Sequence, residues 1–243
     1  MLQFEHVTKR YAKSAEPALR DLCMAVKPGV LYGLLGPNGA GKTTAIRLLT
    51  GVLAPTEGRV LVGGYDMAKD PVAAKRLIGF VPDGQEMYDR LTGMEYLNFM
   101  ADMYGVDAAK RKAHIEKYLS LFDLEKAAGD QIRSYSRGMR QKIAIIGALI
   151  HDPKVWVLDE PMVGLDPRAS HILKEEMRAR ADAGATVFFS THVLEVAERL
   201  CDEVGIIHQG SLIARGTLDE LRQGAADKGL ESLFLELTEV EDA

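Results

Sequence analysis

Apolar positions along the first part of this chain either alternate with polar ones or gather in short runs. Leu2, Phe4 and Val7 alternate with polar neighbours, as an edge strand would. Leu19 to Val26 reads as a second strand, and Pro28-Gly29 as a turn into the apolar run Leu31 to Leu35. A turn over Pro55 to Gly58 precedes a strand from Arg59 to Val62 that ends in Gly63-Gly64. Short turns between these opening strands predict an antiparallel layer. Arg76 to Val81 reads as a short strand that stops at Pro82.

The period then changes from strand to helix. Thr92 and Glu95 stand at capping-box spacing before a helix that runs through Tyr104 and stops at Gly105. Helices are also expected over Asp107 to Phe122 and Arg137 to Ile150. In the first of these, Lys110, Arg111, Lys112 and Lys117 read as a solvated face. Beyond it, Val155 to Leu158 and Thr186 to Ser190 read as buried strands. Between them, Asp166-Pro167 starts a helix that ends near Ala183, before Gly184. A helix over Val193 to Leu200 and strands over Val204 to His208 and Leu212 to Ala214 follow. Strands alternating with helices predict an α/β fold with a mostly parallel sheet. Residues 1–84 and 151–223 are expected to form the core and its β-layer, and 85–150 an inserted helical subdomain. Residues 224–243 are expected to form an amphipathic extension, with Leu230, Leu233, Phe234 and Leu237 on one face. That face is expected to dock on its own domain.

The chemistry starts at Gly36-Pro37-Asn38-Gly39-Ala40-Gly41-Lys42-Thr43-Thr44, which fits G-x-x-x-x-G-K-[ST]. It follows an apolar strand and opens the helix Thr43 to Thr50, the context that a phosphate-binding loop requires. Glycines let successive backbone N–H groups converge on one anion, and the helix adds its positive end. Lys42 reaches the outer phosphates, and the Thr43 hydroxyl is placed for Mg²⁺. A second apolar strand, Val155 to Leu158, delivers Asp159 and Glu160 to the same sheet edge. Asp159 is the expected metal-side carboxylate, and Glu160 is left to polarise a water as general base.

Tyr135-Ser136-Arg137-Gly138-Met139-Arg140-Gln141 resembles the signature motif of ATP-binding-cassette (ABC) ATPases, usually L-S-G-G-Q. Ser136 and Gly138 match it, and Tyr135, Arg137 and Met139 depart. Leu165-Asp166 resembles the family's D-loop and His192 its switch histidine. Tyr11 stands where the family stacks an aromatic ring on adenine. After Phe80-Val81-Pro82 the family has Gln; here Asp83 follows, with Gln85 two residues on. Asp83 is a further candidate for water near the metal. The resemblance covers essentially the whole chain, in motif order. It implies a P-loop NTPase core with an N-terminal antiparallel layer, ATP and Mg²⁺ as ligands, and a head-to-tail dimer. In that dimer Ser136 and Gly138 of one subunit complete the nucleotide site of the other. It further implies a separate membrane-spanning transporter subunit as partner and a place on the cytoplasmic face of the membrane. Tyr135 to Lys142 and Leu230 to Thr238 resemble the bacterial exporter branch. Met87 and Tyr88, just before a Met-bearing helix, are the expected contacts to the membrane partner.

Composition narrows the alternatives. The 243 residues are 47% hydrophobic, and no apolar run approaches the ~18 residues of a membrane span. Met1 to Glu5 does not resemble a signal peptide, so a cytosolic location is expected. Cys23 and Cys201 are the only cysteines, and both read as small core residues. A net charge of −5 gives no basic field for nucleic acid, so none is expected as partner. This weighs against a cassette ATPase acting on ribosomes or DNA. Glu160 and His192 weigh against a regulatory module without turnover.

Overall fold

Which strands are wet on one face and which are buried on both decides how the chain divides into two sheets. The computed structural model describes residues 1–12, 16–84, 88–222 and 229–241, with side chains as far as 236. Strands β1 (Leu2–Lys9) and β2 (Leu19–Val26) alternate between buried and exposed positions. The next strand, β3 (Leu31–Leu35), is buried throughout and leads to helix α1 (Lys42–Leu49). Strands β4 (Glu57–Val62) and β5 (Tyr65–Asp66) follow, then α2 (Pro71–Arg76) and β6 (Ile78–Val81). Helices α3 (Gly93–Met103), α4 (Ala108–Leu121) and α5 (Arg137–Leu149) come in sequence, with a 3₁₀ turn at Ile132–Ser134 before α5. The chain then alternates β7 (Val155–Asp159), α6 (Pro167–Asp182), β8 (Thr186–Thr191), α7 (Leu194–Leu200), β9 (Glu203–His208) and β10 (Ser211–Gly216). Two helices, α8 (Leu218–Arg222) and α9 (Leu230–Glu241), close it.

The one-faced strands form a sheet of order β2-β1-β4-β5, in which every pairing is antiparallel. The strands buried on both faces, with the half-buried β10 at their edge, form the second sheet, β10-β9-β3-β8-β7-β6, parallel except for the β9–β10 hairpin. The chain is thus an α/β protein with a mostly parallel sheet. β3 lies between β2 and β4 in sequence yet leaves their layer for the middle of the parallel sheet. The period-two alternation of β7 supplies both neighbouring cores. Val155 and Val157 pack toward the antiparallel layer, with Leu2, Val60 and Leu49. Trp156 and Leu158 pack toward the helices, with Leu97, Tyr118 and Ile143. A third cluster seats the end of the chain: Leu230, with Leu233 and Phe234 against it, packs on Ala197, Val204 and Leu35. The expected home docking of the amphipathic stretch therefore holds for these three residues; the Leu237 side chain lies outside the described residues.

Local signals act as expected at the helix starts. Thr92 accepts from the Glu95 backbone at 3.1 Å while Glu95 accepts from the Thr92 N–H at 2.8 Å, closing the capping box. Asp107, Ser136 and Asp166 cap α4, α5 and α6. The basic residues of α4 are partnered: Lys110 with Asp152 at 2.8 Å, Arg111 with Asp102, Lys112 with Glu116, and Lys117 over the Tyr118 ring. They form a solvated, charge-balanced face.

Two readings of the sequence are corrected. The strand expected from Arg76 starts at Ile78, because Pro71 at the first helical turn commits residues 71–76 to α2. Cys23 is exposed, not core, because the alternation of β2 buries Leu22 and Met24 and turns Cys23 outward. Cys201 is partly buried and packs against the cores, as expected. The short elements β5 and α8 and the 3₁₀ turn were not anticipated; each is too short to carry a period.

Because β7 presents the carboxylates, its packing sets their position. Leu158 is fully buried beside Asp159. Leu158→Ala should destabilise the chain by about 2–5 kcal/mol, through lost burial and the cavity left behind. Urea unfolding measures this as a lowered midpoint at unchanged slope; an unchanged midpoint would show that Leu158 does not support the fold.

Candidate functional site

Backbone space shapes the glycine loop before any side chain acts. A Cβ on Gly36 would lie 2.3 Å from the carbonyl oxygen of Ile207, so only glycine lets the loop leave β3 beside β9. Gly41 takes φ 112 as the residue that caps α1, a conformation strained for a residue with a side chain. The loop then encloses Lys42, which is 6% exposed. Its ammonium donates to the carbonyls of Gly36 at 2.7 Å and Pro37 at 3.1 Å. Glu160 Oε1 lies 3.6 Å from it. A buried ammonium held by backbone oxygens on one side and a carboxylate on the other is fixed in place, with its charge directed into the cleft.

Asp159 and Glu160 leave β7 in different directions. Asp159 is 2% exposed and accepts a 2.6 Å hydrogen bond from the Ser190 hydroxyl. Burial raises its pKa; hydrogen bonds from Ser190 and Thr43 offset part of that, and the charges of Asp83 and Glu160 add to it. At Glu160 the backbone turns to φ 46, and its N–H donates to the same Ser190 oxygen at 3.0 Å. This left-handed residue ends the strand and swings the Glu160 side chain away from that of Asp159. His192, just past β8, places Nδ1 3.0 Å from Glu160 Oε1.

Most of the residues expected at the site converge on one cleft. Pro37, Asn38, Thr43, Thr44, Asp83 and Glu160 line it together with Lys42, Gly39 and Gly41. Gly36 supports this loop from beneath, and Ala40 ties it to β9–β10 by accepting from the Gly210 N–H at 3.0 Å. Tyr11 stands at the rim, its hydroxyl 3.3 Å from Thr44 Oγ1 and its ring partly exposed. Asp83 reaches the carboxylate end of the cleft, although its position departs from the family pattern; Gln85 lies outside the described residues.

Ser136 and Gly138 are not among the residues lining the cleft. Ser136 caps α5, accepting from the Met139 N–H at 3.3 Å. A Cβ on Gly138 would lie 2.9 Å from the Gly164 oxygen, so the start of α5 packs against the turn that follows Glu160. Gln141 joins the two, donating to the Pro161 carbonyl at 3.2 Å. The departures in this motif are accommodated. The Tyr135 hydroxyl donates to the Ala127 carbonyl at 2.6 Å, in space left by the absent side chain of Gly93. Arg137 lies along Gly164.

Ser190 is the residue that sequence reasoning missed. It touches both carboxylate positions, and in a strand that also carries Thr186 and Thr191 its hydroxyl gave no separate signal. Ala18, which also lines the cleft beneath the loop, carried no signal at all.

Comparisons with known proteins agree with this arrangement. The profile of the ABC transporter family matches residues 19–163. The chain is 37% identical to the ABC transporter ATP-binding protein NatA of Bacillus subtilis over 224 residues, 92% of this chain and 91% of that one. It is 39% identical to the linearmycin resistance ATP-binding protein LnrL of the same organism, over 91% of this chain and 70% of that one. Among solved structures, an ATP-binding subunit of an ABC transporter superposes with a TM-score of 0.93 at 34% identity, covering 98% of this chain and 99% of that one.

The burial of Asp159 predicts an effect on stability. A carboxyl with a raised folded pKa binds its proton more tightly in the folded chain. That contribution is full below the ordinary Asp value and is lost as pH rises through the folded one. At neutral pH the buried carboxylate therefore weakens the ligand-free fold. Asp159→Asn should raise Tm at pH 7, with a gain that shrinks as pH falls into the carboxylate range. Calorimetry across pH checks this, and a lowered Tm at pH 7 would contradict it.

Proposed function

Because the chain belongs to the ABC transporter ATP-binding family, we propose that it is the ATP-hydrolysing subunit of a bacterial exporter, acting as a nucleotide-sandwich dimer on the cytoplasmic face of the membrane. The observation that carries this reading is the Glu160 carboxylate, held between the buried Lys42 ammonium at 3.6 Å and His192 at 3.0 Å beside a phosphate-binding loop. The printed name of one relative, the linearmycin resistance ATP-binding protein LnrL, supports export. No described helix is long and apolar enough to cross a membrane.

Each residue then has a role. The loop N–H groups and Lys42 receive the phosphates, with Tyr11 against the base. Thr43 and Asp159 offer a hydroxyl and a buried carboxylate, hard oxygen donors that would hold Mg²⁺, and Asp83 adds a further carboxylate to the cleft. Bound there, the ion neutralises charge on the phosphates. Glu160 accepts the proton of the attacking water, and its neighbours keep it oriented. His192 is placed to follow the γ-phosphate from its half-exposed position.

Ser136 caps α5 and Gly138 lies in its first turn, and neither lines its own cleft, so the Ser136 O–H proton, the Gly138 N–H and the helix end are offered to the cleft of a second, identical subunit. Closure around ATP and opening after hydrolysis make the dimer a two-state element biased by nucleotide.

A second surface fits the membrane partner. Tyr88 is 57% exposed and packs edge-on against Phe99, with Met94 and Met103 exposed on the same helical region. Met87, expected to share this contact, lies outside the described residues. Leu97 is core and Met100 packs against it, so neither belongs to the patch.

Glu160→Gln should slow ATP turnover by about 10²–10⁴ while leaving binding intact. Size exclusion in Mg-ATP should then show a dimer, and adding Ser136→Arg should dissolve it. Turnover at the wild-type rate would remove Glu160 from the role of base. Separately, Tyr88→Asp should abolish recruitment to membranes carrying the co-expressed transporter subunit, with the Mg-ATP thermal shift retained. Recruitment that survives would place the docking surface elsewhere.

A further inference from the structure

The antiparallel sheet carries a cluster that the ATPase reading does not use. His6 on β1 and Asp21 on β2 both lie in the left-handed region, with φ 51 and 44. The β1–β2 register breaks between Phe4 and Val7, and again between Val7 and Lys9. Bulges of this kind re-aim side chains that a regular strand would point elsewhere. Here they bring donor atoms of His6, Asp21 and Cys23 within 4.8 Å of one another at the protein surface.

The geometry of the histidine limits what the cluster can do. His6 Nδ1 lies 2.8 Å from Asp21 Oδ1 and 3.5 Å from Cys23 Sγ. A thiol–imidazole–carboxylate relay needs the two ring nitrogens, one toward each partner. In this cluster the same nitrogen faces both, so the thiol has no separate base to activate it. One nitrogen, one oxygen and one sulfur converging on a point form a ligand set instead. Tetrahedral Zn²⁺ bonds of about 2.05 Å to nitrogen and about 2.3 Å to sulfur place those two atoms about 3.6 Å apart. The observed 3.5 Å needs almost no adjustment, and the 2.8 Å between Nδ1 and Asp21 Oδ1 opens to about 3.3 Å.

We propose that His6, Asp21 and Cys23 bind a Zn²⁺-class divalent cation on the outer face of the antiparallel sheet, with water in the fourth position. On binding, the proton that Nδ1 shares with Asp21 moves to Nε2, so that the imidazole ligates as the other neutral tautomer, and the Cys23 thiol releases its proton to solvent. Thiolate and carboxylate together supply two negative charges to the dication. Soft sulfur with imidazole selects zinc-like ions over Mg²⁺, so the site does not compete for the metal of the ATP cleft. None of the three residues lines that cleft. The hydrogen bonds that join them without metal are surface contacts, weak enough to yield to an ion.

Co²⁺ serves as the spectroscopic probe, titrated into the chelator-treated full-length chain without nucleotide. One equivalent should produce a thiolate-to-cobalt absorption in the near ultraviolet and tetrahedral bands in the visible, both bleached by Zn²⁺. Cys23→Ser should lose the thiolate band. His6→Asn and Asp21→Asn, which tolerate the left-handed backbone, should weaken binding by at least about tenfold, the lower end of the loss when even an outer-shell partner is removed. Zn²⁺ should also protect Cys23 from a thiol reagent; Cys201, partly buried and with its thiol pKa pushed up by burial, serves as the slow internal reference. An unchanged Mg-ATP thermal shift in all three variants shows that they fold. Absence of the thiolate band in the wild type, or its persistence in Cys23→Ser, overturns the site. Binding only at millimolar metal, equal in wild type and variants, means an adventitious ion only.

Discussion

The Ser190 hydroxyl is the small contact on which the carboxylate edge of the sheet depends. Asp159 and Ser190 are register partners on adjacent parallel strands. From that position one oxygen donates to the Asp159 carboxylate and accepts from the Glu160 N–H. A nearly inaccessible carboxylate is tolerable only when such donors satisfy it. The same oxygen holds the backbone where it turns left-handed, and that turn separates the directions of two consecutive acidic side chains. The proposed metal-side and water-side roles thus fall to adjacent residues at one strand end, without a longer loop to hold them apart.

The rest of the fold serves that edge from two sides. Strand β7 is buried on both faces, so its alternation ties the antiparallel layer to the helices through Val157 and Trp156. The glycine loop is pressed against β9 at Gly36 and joined to the β9–β10 turn through Gly210. On the helical side, Gln141 and the tight approach of Gly138 to Gly164 link the start of α5 to the segment leaving Glu160. A shift of α5 therefore has a direct packing route to Glu160, through side chains within a few residues of it. The route runs through one buried amide and one glycine contact, both intolerant of added bulk.

Departures from the usual signature show how substitution is absorbed without loss of shape. Tyr135 fills a buried position, and its hydroxyl finds the Ala127 carbonyl because Gly93 leaves room. Arg137 extends along Gly164, whose φ of 85 suits glycine. In both cases a larger residue is matched by a glycine elsewhere in the chain, a pairing visible only in space.

The sequence by itself determined the elements that obey a local rule. The glycine loop, the capping box at Thr92, the buried strand ending in Asp159 and Glu160, and the alternation of β1 are all written in neighbouring residues, because backbone geometry and period act over a few positions. Tertiary structure alone decided what depends on distant partners. It sent β3 out of the antiparallel layer, turned Cys23 outward and placed Ser190 under both carboxylates. It also brought His6 to Asp21 and Cys23 across a bulged register. Strand order and register are set by which faces find burial together, and that energy belongs to pairs of segments far apart in the chain. No window of sequence holds both members of such a pair.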